Sequence, residues 1–129
     1  MRNRLKRIGA IMSLVALAAM PAAASPAGQW EIETGSQRYD VTLCGDGTEL
    51  CATLIWLGKG DDTAKNRPYL NTMVIDHAPL IRPNQWRGEL HLYGRTATGT
   101  ITQVSDDVVQ LKGCYFFVIC RTYMMHRLK

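Results

Sequence analysis

Apolar and polar residues alternate from Tyr39 to Cys44, with Tyr39, Val41 and Leu43 on one face and Asp40 and Thr42 on the other. A period of two marks a strand with one buried face. Ala52 to Leu57 is apolar on both faces, Leu54 and Trp56 on one, Ile55 and Leu57 on the other. That pattern predicts a central strand or the wall of a filled barrel. A Gly-Asp-Gly turn separates the two runs, and Cys44 and Cys51 flank it. The segment therefore reads as a cystine-closed hairpin that starts an antiparallel sheet. A turn over Gly47-Thr48 would set Cys44 opposite Cys51, whereas a turn over Asp46-Gly47 would set it against Glu49. A disulfide is expected to choose between these registers.

The rest of the chain follows the same pattern. Gly28-Gln29 precedes a first strand over Trp30–Glu33, and Gly35-Ser36 turns the chain. Gly58–Pro68 is a polar loop with Asp61-Asp62, Lys65, Asn66 and Arg67, and a short strand over Met73–Asp76 follows. Ala78–Gln85, broken by Pro79 and Pro83-Asn84, is expected to be irregular. Trp86–Tyr93 predicts a strand with Leu90 and Leu92 facing one way and Glu89, His91 and Tyr93 the other. The Thr-rich run Ala97–Val104, a turn over Ser105-Asp106-Asp107, and strands over Val108–Lys112 and Thr122–Leu128 complete the chain. About eight short strands with no helical period predict an all-β domain. Sequential hairpins favour a single antiparallel up-and-down barrel.

Residues 1–24 stand apart from this pattern. Arg2, Arg4, Lys6 and Arg7 precede the uncharged run Ile8–Ala24, whose 17 residues include Gly9 and Pro21. This predicts a secretory signal cleaved after Ala24, since a membrane span needs about 20 apolar residues. The domain is expected to occupy residues 25–129, in the periplasm or secreted. The chain has 15 Lys+Arg and 11 Asp+Glu. Four of the 15 basic residues fall within 1–24, leaving 11 of each sign and a net charge of zero. A nucleic-acid partner is thus not expected. All four cysteines lie in the exported part, which argues for disulfides; of three possible pairings, the local ones, Cys44–Cys51 and Cys114–Cys120, are favoured. Their spacing differs from the C-x-x-C of zinc sites.

Candidate chemistry is sparse. His77, His91 and His126 show no metal-binding spacing, and no metal or cofactor is expected. Asp61-Asp62 and Asp106-Asp107 read as solvated turn residues, since adjacency alone does not supply the geometry of acid–base catalysis. No G-x-S-x-G or phosphate-binding loop occurs, so the protein is not expected to be an enzyme. Tyr115-Phe116-Phe117-Val118-Ile119 has two readings. Closed by a Cys114–Cys120 disulfide, it is a tight apolar loop at a barrel rim. As a continuous strand, it would hold those cysteines about 20 Å apart, beyond disulfide reach.

Four motifs in order resemble a bacterial family of small exported proteins, domain of unknown function 2147: Leu-Cys-x6-Cys followed by Leu-Ile-Trp-Leu (43–57), Asn66-Arg67-Pro68 after an acidic loop, Gln85-Trp86-Arg87-Gly88 before a Leu-rich strand, and Leu111-Lys112-Gly113-Cys114 with Cys120. The resemblance implies a lipocalin-like barrel with no established activity, and it supports the loop reading of 115–119. Gly28-Gln29-Trp30 is similar to the Gly-x-Trp that opens lipocalin barrels, and Arg127 matches the arginine that caps that tryptophan. The family pattern departs here at Arg67, where Asn-Pro is usual, and at Met125, where tryptophan is usual. The expected function is non-catalytic binding of a small apolar ligand, walled by Trp30, Trp56, Tyr93, Tyr115, Phe116 and Phe117. The alternative is an envelope accessory protein that binds another protein through its rim or the Gly58–Pro68 loop, with its interior packed. No membrane span is expected in the mature chain.

Overall fold

The structure, a computed structural model, describes Gly9, residues 25–116 and residues 118–129. The expected signal therefore lies outside the described residues apart from Gly9, as does Phe117. Nine antiparallel strands follow one another: β1 (Gly28–Ile32), β2 (Gln37–Cys44), β3 (Glu49–Leu57), β4 (Met73–Ala78), β5 (Leu80–Arg82), β6 (Gln85–Leu92), β7 (Arg95–Ser105), β8 (Val108–Tyr115) and β9 (Ile119–Arg127). Their spatial order is β4-β3-β2-β1-β9-β8-β7-β6-β5, and a further pairing of Ile75 with Leu90 joins β4 to β6. Eight strands thus close into an up-and-down barrel, with β5 alongside β6, as the strand spacing predicted.

β5 corrects the expectation of an irregular 78–85. Leu80 and Arg82 pair with Trp86 and Gln85 across a Pro83-Asn84 turn, where Asn84 adopts φ 61°. Proline at the first central position and asparagine in the left-handed region at the second suit such a turn. Pro79 and Pro83 lack the N–H groups that would let the strand extend.

One end of the barrel is packed solid. Trp30, Leu50 and Leu54 are completely buried there, with Tyr39, Ile101 and Met125 around them. Only a void of about 20 Å³, lined by apolar side chains, remains among them, room for about one water molecule. Trp30 pairs with Arg127 across β1 and β9, and the guanidinium carbon lies 4.4 Å from the ring centroid. The indole N–H donates to the Pro26 carbonyl at 2.9 Å. Arg127 donates to the carbonyls of Ser25, Ala27 and Asp106 at 2.7–2.8 Å, so one side chain ties the segment before β1 and the end of β9 to the β7–β8 turn. Gly28, at φ 137°, leaves room for it, since a Cβ there would sit 2.7 Å from the guanidinium. Arg127 thus caps Trp30, as expected from the sequence.

Both disulfides are formed, Cys44–Cys51 and Cys114–Cys120. The first does not choose the register as expected. Cys44 pairs with Glu49, and Cys51 with Thr42. The bridge therefore runs diagonally, with Cα atoms 6.0 Å apart, within the usual range for a disulfide. The turn is a four-residue Gly45–Thr48 loop, with Gly45 and Gly47 at positive φ. The second bridge joins directly paired residues on β8 and β9. The loop reading of 115–119 holds in part, since Tyr115 and Ile119 still pair and the chain turns between them.

Trp56 corrects a second expectation. Arg38 pairs with Trp56 and Tyr39 with Leu54, leaving Ile55 as an extra residue on β3. Such a bulge reverses the alternation beyond it. Trp56 therefore faces outward instead of joining Leu54, and Leu57 turns inward. Trp56 is 38% exposed, with the Arg38 guanidinium carbon 4.1 Å from its ring centroid and Arg38 in turn bonded to Glu31 at 2.6 Å.

Candidate functional site

At the end opposite Trp30 the barrel opens. The β1–β2, β6–β7 and β8–β9 turns and the long β3–β4 loop gather there, around a cavity of about 630 Å³. Its floor is apolar, formed by Ile32, Leu90, Leu92, Ala97 and Leu111. Leu90 and Leu92 point inward as their alternation predicted.

A polar network crosses one wall. Gln37, buried at the start of β2, accepts a hydrogen bond from the Tyr39 hydroxyl. Its amide N–H group donates to Asp61 at 2.5 Å and to the Tyr93 hydroxyl at 3.0 Å. Tyr93 in turn donates to Asp61 at 2.8 Å. Burial raises the Tyr39 phenol pKa well above the usual tyrosine range. For Tyr93, burial and then the Asp61 hydrogen bond act the same way. Both phenols stay neutral donors, as an arrangement around one carboxylate requires.

Local structure explains how these groups meet. Tyr93 and Gly94 adopt φ 51° and 76° in a two-residue turn between the paired Leu92 and Arg95. Two successive left-handed residues match the twist of a tight hairpin. They also swing Tyr93 off the Glu89–His91 face predicted for it and into the cavity. Asp61 arrives from the β3–β4 loop, which Gly58 anchors to the Ser36 carbonyl at 2.9 Å. Asn66 bonds to the Asp61 carbonyl at 3.0 Å, and Arg67 to Asp62 at 2.8 Å. A short 3₁₀ turn over Arg67–Tyr69 brings the Tyr69 ring edge-on to Tyr93, 5.9 Å between centroids.

The predicted ligand wall is only partly assembled. Tyr93 and Tyr115 line the cavity. Trp30 touches only the small void at the packed end, and Trp56 lies on the outside beneath Arg38. Phe116 projects into solvent, 86% exposed, beside Val118 at 79%; Phe117 lies outside the described residues. Sequence reasoning missed Gln37, an ordinary polar residue before a strand. It noted the Gly58–Pro68 loop as a partner surface rather than as part of a cavity wall. It also missed four cationic residues at the mouth: Lys59, Lys65, Arg95 and Arg121.

Ser36 also lines the cavity, and neither histidine nor cysteine joins it among the described residues. Elsewhere, Cys44, Cys51 and His77 bring potential metal-ligand atoms within 4.8 Å of one another, but both sulfurs are committed to the disulfide. A hydrogen bond donated by its ring to Asp76 raises the His77 pKa above the ordinary 6.5.

No family model matches this chain, and no curated protein matches it. Among solved structures, it is similar to protein HP1028 from Helicobacter pylori, described as belonging to the lipocalin family. The likeness has a TM-score of 0.61 and 13% identity, covering 83% of this chain and 85% of that one. It establishes a shared lipocalin-like fold.

Proposed function

We propose that this chain is a non-catalytic, exported binding module that holds one small molecule in the open end of its barrel. The observation that carries the reading is the cavity of about 630 Å³. That volume lies within the ~300–1,000 Å³ typical of small-ligand sites, while the other end of the same barrel is packed. The lipocalin-like fold supports the same reading. Two disulfides support residence in an oxidising compartment, and the motif resemblance to domain of unknown function 2147 forms part of the proposal. The rival accessory-protein reading supposed a solid interior, and the cavity weighs against that premise.

Displacement of a neutral fluorescent probe, N-phenyl-1-naphthylamine, tests the proposal. Uptake should occur with about one probe per chain. Ala97→Phe, which places a ring on the cavity floor, should weaken it at least ~10-fold, about 1.4 kcal/mol. Leu92→Trp serves as a second filling variant if the first is unstable. A wild-type protein that takes up neither the probe nor any molecule retained from the periplasm, by native mass spectrometry, would remove the basis for this reading.

A further inference from the structure

From the charges around the mouth, we infer that the cavity selects an amphiphile carrying one acidic group, its apolar body on the Leu90–Leu92–Leu111 floor and its anion among Lys59, Lys65, Arg95 and Arg121. The inference rests on the binding-module reading and specifies its ligand.

Three observations support it. First, all four cationic side chains line this cavity, and none forms an ion pair among the described residues. A chain whose residues 25–129 carry no net charge has thus gathered four unpaired positive charges at one opening. Second, the carboxylate lining that cavity, Asp61, is already engaged by Gln37 and Tyr93. Those hydrogen bonds hold it, and no ion pair joins it to the cations among the described residues. Glu33 lies on the β1–β2 turn at the same end but is not among the lining residues. Third, the four cations outnumber the single carboxylate among the lining residues, so the opening is positive and draws an anion toward it.

The floor and mouth set different requirements. A purely apolar molecule would bury the floor and leave the cations with water alone. A small inorganic anion would leave the floor wet. An acid on an apolar chain satisfies both, and each exposed charge contact adds a modest, salt-sensitive increment.

The test compares amphiphiles of equal chain length for displacement of the neutral probe from the disulfide-intact protein. Decanoate should bind at least ~10-fold tighter than decanol, as several modest charge contacts multiply. That advantage should collapse between ~0.01 and ~1 M salt, where the screening length falls from ~30 to ~3 Å. Arg95→Gln with Arg121→Gln should cut the advantage to about 3-fold or less, because only two of the four cations remain. If that variant fails to fold, Lys59→Gln with Lys65→Gln on the exposed loop makes the same reduction. Equal binding of decanoate and decanol, or tighter binding of decyltrimethylammonium, overturns the inference while the cavity reading stands. Failure of the probe and every amphiphile to bind overturns both.

Discussion

Trp30 and Tyr39 show what single residues contribute. Trp30 is completely enclosed, so Trp30→Ala should destabilise the domain by roughly 3–5 kcal/mol in chemical denaturation. Arg127→Ala should cost less, since it loses packing, a ring contact and carbonyl hydrogen bonds on a partly exposed side chain. An unchanged melting temperature for Trp30→Ala would show that the opening strand is peripheral. The tyrosines make a pH prediction. Tyr39 and Tyr93 hold their protons in the fold above the pH at which an unfolded tyrosine, with a pKa of about 10, releases its own. Above that pH the folded state binds more protons, so stability falls as pH rises. The Tyr39 phenol alone contributes a slope of up to about 1.4 kcal/mol per pH unit. Tyr39→Phe should flatten the alkaline limb, and absorbance titration should find two of the five tyrosines ionising only on unfolding. At this scale the sequence was readable where a local motif fixed the answer, as at Gly28-Gln29-Trp30. It was not readable at Trp56, because a one-residue bulge leaves no trace in an apolar run.

The hairpins account for most of what the alternation predicted. Every strand except β5 was found to within a few residues, because half-buried strands alternate whatever their neighbours are. Register was harder, since the diagonal Cys44–Cys51 bridge is compatible with a pairing that the direct-opposition argument rejected. Peptide mapping without reduction should recover the 44–51 and 114–120 links and no 44–114 link. The bridges close separate hairpins at opposite ends of the barrel. Reducing each should therefore cost roughly 2–2.5 kcal/mol, with nearly additive effects. The tip of the β8–β9 hairpin offers a contrasting test. Phe116→Ser and Val118→Ser should each change stability by no more than about 0.5 kcal/mol, as for substitutions of exposed side chains. Unfolding by either would place that tip in the core.

At the scale of the whole molecule the cavity was the least legible feature. Gln37, Asp61 and Tyr93 lie 24 and 32 residues apart along the chain, and only closure of the barrel brings them together. Fold class could be read from periodicity, but a cavity depends on which turns share an end and how far each side chain reaches. Closure itself rests on a narrow join. The β4–β6 ladder has one residue pair, Ile75 with Leu90, beside which Ala78 packs on Gly88, whereas β6 and β7 pair along eight. Leu90 belongs both to that join and to the cavity floor. A wall with its shortest ladder there should part along that seam before the other ladders do. Amide exchange should be fastest across 74–76 and 89–91 within the barrel strands, and a bulky guest should quicken it there. The barrel would then admit guests larger than its resting volume, with the seam setting how far it yields.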